Sequence, residues 1–426
     1  MASPHGLRRC LCAAAAILAQ AAPLPFDGMI RPAADGSSIA YMVPPNLANH
    51  ASTLEQLPNG DLLLAWFSGV KEEADKCAIA FSRLPAGSAQ WSPPRIVSER
   101  DGFSNQNPVL FHDTTTNVTW LFHSQLAAGA GEGLDTLWSL VSTDGGASWS
   151  APASFLDFAG KKKGVFDRNR IVVRADGSLL FPLYWTTDKV PNQAFLLISA
   201  AANHSQWGAP QDIAGAENLV QPSVVRTAPG TLTAFFRDRN AKHVFGAASN
   251  DEGRTWTAPT PGAAGNLPNN NAGIEAWQLK SGQTLLLFNN CTKGRTPMTA
   301  ALSANGGAAW HASRNLQVHD DNSTNTAGVE YSYPTVLQTP DGVIHAAYTY
   351  NRQTMCVRAR EAGRRAARAP AAARALPALA CNPLASFRGS VRAPNLAEST
   401  CASTRAGWRR DGGSLADPEN RGTTRP

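Results

Sequence analysis

Two octapeptides decide the fold of this chain: Ser142-Thr143-Asp144-Gly145-Gly146-Ala147-Ser148-Trp149 and Ser249-Asn250-Asp251-Glu252-Gly253-Arg254-Thr255-Trp256. Residues 303–310 form a degenerate third copy, with Asn305 in the place of the aspartate. Each copy ends in one of five tryptophans that recur with gaps of 58, 58, 49 and 54 residues: Trp91, Trp149, Trp207, Trp256 and Trp310. One such signal in each period of about 50 residues is typical of a stack or ring of small β-sheets.

A second signal, a tight polar turn between two apolar runs, repeats in step with the tryptophans. It occurs at Pro58-Asn59-Gly60, Thr115-Thr116-Asn117, Ala175-Asp176-Gly177, Ala228-Pro229-Gly230, Lys280-Ser281-Gly282 and Pro340-Asp341-Gly342. Glycine or asparagine in such turns supplies the positive φ angle that a hairpin requires. The flanking runs are apolar and lack a helical period. We therefore predict an all-β fold, a six-bladed β-propeller with Asp-box turns, whose sixth blade is completed by the two ends of the chain.

Composition limits the class of protein. The chain has 426 residues and 43 % hydrophobic residues, which suits one large packed domain. Its net charge is +6, but residues 357–426 hold 13 arginines and 5 acidic residues, a balance of +8. Residues 1–356 therefore carry a net charge of −2. The basic character belongs to the tail, so it does not predict a nucleic-acid surface on the folded part.

The N-terminus has the pattern of a secretory signal peptide over residues 1–21. Arg8 and Arg9 precede an apolar run that is too short to span a membrane, and residues 19–21 suit a cleavage site. Four glycosylation sequons agree with a secreted protein or with the lumen of a secretory or lysosome-like compartment: Asn117, Asn203, Asn290 and Asn322. We expect a propeller over residues 40–356 and a disordered Ala/Arg-rich tail over residues 357–426.

Polar residues recur at equivalent positions of the predicted blades. The inner strands begin at His50, Asn107, Arg168, Gln221, Glu275 and Tyr331. A second set stands where the next strands end: Trp66, His123, Tyr184, Arg237, Asn289 with Arg295, and Tyr350 with Arg352. Polar groups are costly to bury, so this repetition predicts a polar pocket on the propeller axis. Arginine binds carboxylates through two parallel hydrogen bonds, which favours an acidic sugar as ligand.

The octapeptides resemble Asp boxes, the bacterial neuraminidase repeats, and residues 40–355 resemble the sialidase superfamily. In particular they are similar to sialidase-like proteins with a bacterial-neuraminidase-repeat-like domain. The matching segments are 50–53 with 57–62, 107–111, 221–223, 294–297 and 330–334. The resemblance implies three arginines on the substrate carboxylate, a tyrosine nucleophile assisted by a glutamate, and an aspartate acid/base on an early loop.

Carried onto this sequence, the resemblance makes Tyr331 the nucleophile, with Glu330 beside it. It assigns Arg237 and Arg295 to the substrate carboxylate and offers Asp75 or Glu72 as the acid/base. Two positions depart from the family pattern. His50 stands where the first arginine is expected, and Gln221 stands where the glutamate should activate the tyrosine. Arg168, Glu275 and Glu330 are candidates to take over these roles.

Three hypotheses about function remain open on these residues. The first is an exo-α-sialidase-type glycoside hydrolase acting on acidic sugars through Tyr331. The second is a polysaccharide lyase on the same propeller, with His50 and Tyr331 as the acid–base pair. The third is a propeller that binds glycans without turnover. In each case we expect a monomer whose partner is an acidic glycan or glycoconjugate, with no nucleic acid and no transmembrane segment.

No metal or other cofactor is implied, because the nine histidines lack the spacing of metal ligands. Weak calcium binding at the Asp- and Gly-rich turns stays open.

Overall fold

The computed structural model describes residues 25–158, 163–187, 191–318 and 329–362. The predicted signal peptide, the sequon at Asn322 and the tail after residue 362 lie outside these residues. Within them, six antiparallel sheets form a ring, which confirms the six-bladed β-propeller. The described helices are two short 3-10 turns, Glu132–Leu134 and Gly262–Ala264, and neither is long and apolar enough to cross a membrane.

The strands follow the chain from blade to blade. Two N-terminal strands come first, β1 (Arg31–Pro32) and β2 (Ser38–Tyr41). Blade 1 contains β3 (Ala48–Gln56), β4 (Leu62–Gly69), β5 (Ala78–Leu84) and β6 (Arg95–Ser98). Blade 2 contains β7 (Phe103–Asp113), β8 (Val118–Ala127), β9 (Thr136–Ser142) and β10 (Ala153–Leu156). Blade 3 contains β11 (Gly164–Phe166), β12 (Val172–Val173), β13 (Leu179–Thr186), β14 (Gln193–Ala200), β15 (Asn203–Trp207) and β16 (Gln211–Glu217).

The second half of the ring has the same antiparallel order. Blade 4 contains β17 (Leu219–Ala228), β18 (Thr231–Asp238) and β19 (Phe245–Ser249). Blade 5 contains β20 (Glu275–Gln278), β21 (Thr284–Asn289), β22 (Met298–Ser303) and β23 (Ala312–Gln317). Blade 6 contains β24 (Tyr331–Gln338), β25 (Val343–Tyr350) and β26 (Thr354–Glu361). Five of the six predicted turns connect the first two strands of a blade, and the turn at Ala175-Asp176-Gly177 connects β12 with β13 of blade 3.

The N-terminal strands complete blade 6 and so close the ring. Strand β2 pairs antiparallel with β26, with Ala40 opposite Val357, and β1 pairs with β2. Strand β26 ends at Glu361, five residues beyond the predicted domain boundary at residue 356. The Ala/Arg composition hid this strand, because β2, one of its two partner strands, lies far away in the sequence.

The Asp boxes hold the turns between the third and fourth strands of a blade. In the first box, Asp144 Oδ1 accepts hydrogen bonds from the Ser142 hydroxyl and the Ser148 amide, each 2.8 Å long. The Asn305 side-chain oxygen accepts the equivalent pair of bonds in the degenerate copy. A Cβ atom on Gly146, which has a φ of 80°, would come within 2.7 Å of the Phe81 ring of blade 1. Glycine is therefore required where the box packs on the preceding blade.

The five recurring tryptophans pack at five of the six junctions between blades. Trp149 contacts Phe81 of blade 1, Trp207 contacts Phe155 of blade 2, and Trp310 contacts Phe235 of blade 4. Trp256 packs in the cluster with Leu180 of blade 3, and Trp91 packs in the cluster with Leu337 of blade 6. None of the five lies at the junction of blades 5 and 6.

That remaining junction carries an apolar groove of about 570 Å³. Its walls come from blade 5, through residues such as Leu285 and Leu302, and from blade 6, through residues such as Ile344 and Ala346. The sequence therefore has five recurring tryptophans for six blades, since the junction of blades 5 and 6 carries this groove in place of a recurring tryptophan.

Four inner strands begin with the same irregularity. In β3, β7, β17 and β24, two consecutive residues face one residue of the neighbouring strand, which is a β-bulge. The first bulge residue has a positive φ in every case: 56° at Ala51, 48° at Asn107, 51° at Gln221 and 51° at Tyr333. Bulges re-aim side chains, and these four positions are equivalent around the axis.

Candidate active site

Tyr333 occupies the centre of the candidate site. It is the bulge residue of β24, and its ring is 6 % exposed. Arg168 of blade 3, Arg237 of blade 4 and Arg295 of the blade 5 loop lie over the ring, at 5.3, 5.6 and 5.4 Å from its centroid. Since side chains from so many blades meet Tyr333, the residue lies at the propeller axis.

The phenol oxygen of Tyr333 is bound by a cation. Arg237 Nη1 donates to it over 2.5 Å and also to Gln221 Oε1 over 3.1 Å. Burial by itself would raise the pKa of Tyr333, but the charges of Arg237 and Arg295 outweigh burial and lower that pKa below its usual value of 10. The site therefore favours a phenolate although Gln221 cannot accept a proton.

Gln221 and Arg237 are held by close packing from blade 5. Arg237 Nε donates to Asn271 Oδ1 over 2.8 Å, which fixes the plane of the guanidinium group. Gly273 lies behind the phenol, where an added Cβ would stand 3.2 Å from Gln221 Oε1 and 3.3 Å from Tyr333 Cγ. A larger residue would have to displace one of the two side chains.

Blade 3 supports the bulges from behind. Arg168 donates from Nη1 to the Ser52 carbonyl over 3.2 Å and from Nη2 to the Pro334 carbonyl over 2.8 Å. Asn169 Nδ2 donates to the Gln221 carbonyl over 2.8 Å. Consecutive residues of blade 3 thus fix the bulges of blades 1, 6 and 4. Arg168, which is 2 % exposed, lies beneath the pocket and supports its floor.

His50 lies beside Tyr333 and carries no charge. The two ring centroids are 4.2 Å apart, and His50 is 1 % exposed. Its Nδ1 lies 2.8 Å from Thr349 Oγ1, while Nε2 has no hydrogen-bond partner among the described residues. Burial, followed by the charges of Arg352 and Arg295, holds the pKa of His50 well below its usual value. A neutral imidazole therefore faces the phenol.

A network of carboxylates and guanidinium groups forms one wall of the pocket. Glu330 accepts from Arg295 Nη1 over 2.6 Å, from Arg352 Nε over 2.8 Å and from the Ser332 hydroxyl over 2.5 Å. Arg352 also donates from Nη1 to Glu72 over 2.6 Å. The charges of Arg295 and Arg352 outweigh the effect of burial and lower the pKa of Glu330, so this residue is a carboxylate that positions arginines.

The loop after β4 brings its acidic residues to different places. Glu72 bonds Arg352 at the pocket wall, whereas Asp75 is exposed and accepts a 2.6 Å bond from the Gly102 amide. Glu73, which was not among the predicted candidates, has a φ of 63°. Partial burial, then the nearby charges of Glu72 and Glu132, raise the pKa of Glu73.

Glu275 does not lie with the predicted substrate-binding residues. It is 2 % exposed and accepts a 3.1 Å hydrogen bond from Arg170 Nε. Arg170 also donates to the Leu54 carbonyl over 2.9 Å and lies over the Trp277 ring. This ion pair therefore joins blades 1, 3 and 5 through buried contacts.

Tyr331, the predicted nucleophile, is placed elsewhere. Its ring packs in the apolar cluster between blades 5 and 6, with Leu287 and Val336, and lies 5.4 Å from the Tyr350 ring. Its backbone amide donates to the Arg295 carbonyl over 2.8 Å. Tyr333 takes the axial position instead, as the first of the two bulge residues, 333 and 334, that lie opposite one residue of β25.

A sequence signal for the correct register was present. Proline follows the bulge residue in three of the four strands, at Asn107-Pro108, Gln221-Pro222 and Tyr333-Pro334. Alignment on these prolines places Tyr333, and not Tyr331, in register with Gln221. Proline lacks the amide that a strand partner would require, so it is suited to a bulge.

Other residues of the predicted rings have structural contacts. Trp66 Nε1 donates to Asn49 Oδ1 over 2.9 Å, and His123 Nε2 lies 2.9 Å from Ser98 Oγ. Asn289 Nδ2 donates to the Tyr331 carbonyl over 2.7 Å. Tyr184 stacks on Phe166, and burial raises its pKa. These side chains connect strands and blades around the site.

Comparisons with known proteins agree with this architecture. The BNR repeat-like domain family matches residues 60–346. A sialidase of Bacteroides fragilis (strain YCH46) is 25 % identical over 326 residues, which are 69 % of this chain and 58 % of that relative. The chain thus spans little more than half the length of this curated relative.

Two solved structures show the likeness of fold. The Hadza microbial sialidase Hz136 matches with a TM-score of 0.62 at 17 % identity, over 74 % of this chain and 66 % of its own. The intramolecular trans-sialidase from Ruminococcus gnavus matches with a TM-score of 0.61 at 15 % identity, over 76 % of this chain and 97 % of its own. Since the family match covers more than half of the 426 residues, this chain is a sialidase-like member of the BNR repeat-like domain family.

Proposed function

We propose that this protein is a glycoside hydrolase of the sialidase type that acts on acidic sugars, with Tyr333 as its nucleophile. The observation that carries the proposal is the phenol of Tyr333 bonded by Arg237 at the centre of several arginines. The sialidase relative from Bacteroides fragilis supports the same class of reaction. Arg237 and Arg295 suit the carboxylate of an acidic sugar, because a guanidinium group binds a carboxylate in a planar, two-bonded geometry.

In the proposed reaction, the Tyr333 phenolate attacks the anomeric carbon and the bond to the leaving-group oxygen breaks. That oxygen takes a proton from an acid of the loop after β4. Water then attacks the anomeric carbon and gives a proton to the carboxylate left by that acid, while the tyrosyl–sugar bond breaks and the acidic sugar and the phenolate are released. The lowered pKa of Tyr333 replaces the activation that a glutamate at position 221 would provide.

Among the three acids of that loop, we assign the proton transfer to Glu73. A general acid must keep its proton at the working pH, and the upward shift in the pKa of Glu73 favours its protonated form. Glu72 is bonded to Arg352, and Asp75 is bonded to the backbone of another turn.

The decisive experiment compares two tyrosines of the same strand. A fluorogenic sialic-acid glycoside is offered to the wild type, to Tyr333→Phe and to Tyr331→Phe. We expect Tyr333→Phe to lose about 10³-fold in kcat/KM and Tyr331→Phe to retain activity within a few fold. Equal activity of Tyr333→Phe and wild type would contradict the nucleophile assignment. If the wild type and both variants bind the sugar but none of them hydrolyses it, the result would instead favour a glycan-binding propeller.

A second candidate function is favoured by the pairing of His50 with Tyr333. Lyases that act on uronic-acid glycans need a base and an acid on either side of the sugar, and a neutral imidazole lies against the phenol. In that reaction the base removes the proton next to the carboxyl group, and the glycosidic bond breaks by elimination. The product carries a new carbon–carbon double bond that absorbs ultraviolet light, which separates this function from hydrolysis.

We propose that the protein follows the secretory route and works as a monomer. The sequons at Asn117, Asn203 and Asn290 lie at exposed positions, where a glycan can be attached. Expression in a secreting eukaryotic host should deliver the protein to the medium with a mobility that falls to the polypeptide mass after deglycosylation. Retention of the unmodified chain inside the cells would count against secretion.

A further inference from the structure

The turn between β25 and β26 of blade 6 is fastened to the beginning of blade 1. The Asn49 amide donates to the Arg352 carbonyl over 2.7 Å, and the Asn49 side chain donates to the Gln353 carbonyl over 2.9 Å. Arg352 has a φ of 55°, so the turn presents this residue in an unusual backbone conformation. Arg352 therefore lies next to His50, which occupies the position where the family pattern has an arginine.

The side chain of Arg352 is held beside a second arginine. Glu330 binds Arg295 through one carboxylate oxygen and Arg352 through the other, so one carboxylate fixes two guanidinium groups side by side. The side chains of Arg295 and Arg352 are 25 % and 31 % exposed. Both stay accessible from solvent on the wall of the pocket that contains Tyr333.

Charge in this pocket is in excess. Arg168, Arg237, Arg295 and Arg352 contribute four positive charges, and Glu72 and Glu330 contribute two negative ones, which leaves two uncompensated. His50 adds none, because it is buried among these arginines. Arg352 uses Nε on Glu330 and Nη1 on Glu72, which leaves Nη2 for a ligand.

We propose that Arg352 provides the third cation for the substrate carboxylate, in place of the arginine that is His50 in this chain. Arg237, Arg295 and Arg352 then bind the substrate carboxylate together. The third arginine comes from blade 6, whereas the family pattern has it in blade 1. The inference rests on the proposed function, since it concerns how the same pocket selects an acidic sugar.

The test measures acid selectivity at equilibrium, separately from turnover. The intact wild type, Arg352→Met and Arg237→Met are titrated by calorimetry with the 2,3-didehydro derivative of N-acetylneuraminic acid and with its methyl ester. We expect Arg352→Met to weaken binding of the acid about 10-fold or more, as for loss of a charged hydrogen bond, and to change binding of the ester less than about 2-fold. Arg352→Lys keeps the charge but loses the planar guanidinium group, so it should give an intermediate loss of affinity for the acid.

Arg314→Met is the matched control, because Arg314 pairs with Asp35 on the outside of blade 5. It should bind both ligands like the wild type. Unchanged acid-to-ester selectivity in Arg352→Met, together with loss of acid binding in Arg237→Met, overturns the inference and leaves the proposed function standing. Failure of the wild type to bind the acid overturns both. If Arg352→Met does not fold, unchanged selectivity in Arg352→Lys overturns the inference in the same way.

Discussion

At the scale of single residues, the pKa of Tyr333 shifts in the opposite direction to the pKa values of three other buried tyrosines. Burial raises the pKa of Tyr41, Tyr184 and Tyr348. At Tyr333 the neighbouring arginines outweigh burial and lower the pKa. The neighbouring arginines therefore make Tyr333 easier to ionise than a free phenol, whereas burial makes Tyr41, Tyr184 and Tyr348 harder to ionise.

This difference predicts a separate first step in a titration of the tyrosines. As the pH rises, the near-ultraviolet absorbance of phenolate should first report a single group with a midpoint below the usual value of 10. The step should be missing in Tyr333→Phe and should move to higher pH in Arg237→Met, because that variant loses the bonded cation. Survival of the step in Tyr333→Phe would show that another tyrosine ionises first.

The raised pKa of Glu73 predicts how activity depends on the leaving group. Glu73→Gln should slow hydrolysis of glycosides with a poor leaving group about 10²-fold, because their oxygen requires a proton from the enzyme. Glycosides with an acidic phenol as leaving group should be affected far less. Wild-type activity on the poor substrates should fall as pH rises through the pKa of Glu73, and this limb should vanish in Glu73→Gln. Asp75→Asn is the control. If Asp75→Asn also loses this pH-dependent limb and slows hydrolysis of the poor substrates, the role of general acid passes from Glu73 to Asp75.

At the scale of elements, the bulges at the starts of the inner strands make the site. They bring Gln221 and Tyr333 to the axis, and the Arg168–Asn169 pair of blade 3 binds the carbonyl groups behind them. The bulges of blades 4 and 6 thus depend on Arg168 and Asn169 of blade 3, which lie far from Tyr333 in the sequence.

Removal of the Arg168 side chain should therefore destabilise the ring as well as the site. Arg168→Met deletes two buried hydrogen bonds and leaves the carbonyl groups of Ser52 and Pro334 unpaired. We expect the free energy of unfolding to fall by about 2–4 kcal/mol, measured by chemical denaturation. The exposed Arg254→Met, on an Asp box, is the matched control and should change it by less than about 0.5 kcal/mol. A similar loss in both variants would refute the supporting role of Arg168.

The sequence predicted those parts of this molecule that have local signals. Hairpin turns, box motifs and recurring tryptophans each depend on a few adjacent residues, so the blades and their number could be read. The resemblance was matched at Tyr331 and not at Tyr333, and the bulge that brings Tyr333 to the axis was not counted. The end of β26 and the position of Arg352 depend on contacts with β2 and Asn49, which are hundreds of residues away. Only the folded chain shows those contacts.

At the scale of the whole molecule, the N-terminal strands close the ring on β26. A chain that ends after Ala362 should keep its melting temperature within a few degrees, because it retains every described strand. Removal of residues 1–42 should abolish cooperative unfolding, because β26 would then lose β2, one of its two partner strands. Both can be followed by circular dichroism during heating. Equal stability of the two shortened chains would contradict closure by β1 and β2.

The groove between blades 5 and 6 has a consequence for motion near the substrate. No recurring tryptophan packs at this seam, which carries the groove instead, so we expect brief separations to start here. The same seam is crossed by the Arg295–Glu330 ion pair. Amide hydrogens of β22 and β24 should exchange faster than those of β9 and β13, and an acidic sugar analogue should slow them. An acidic sugar that binds across this seam would thereby hold blades 5 and 6 together.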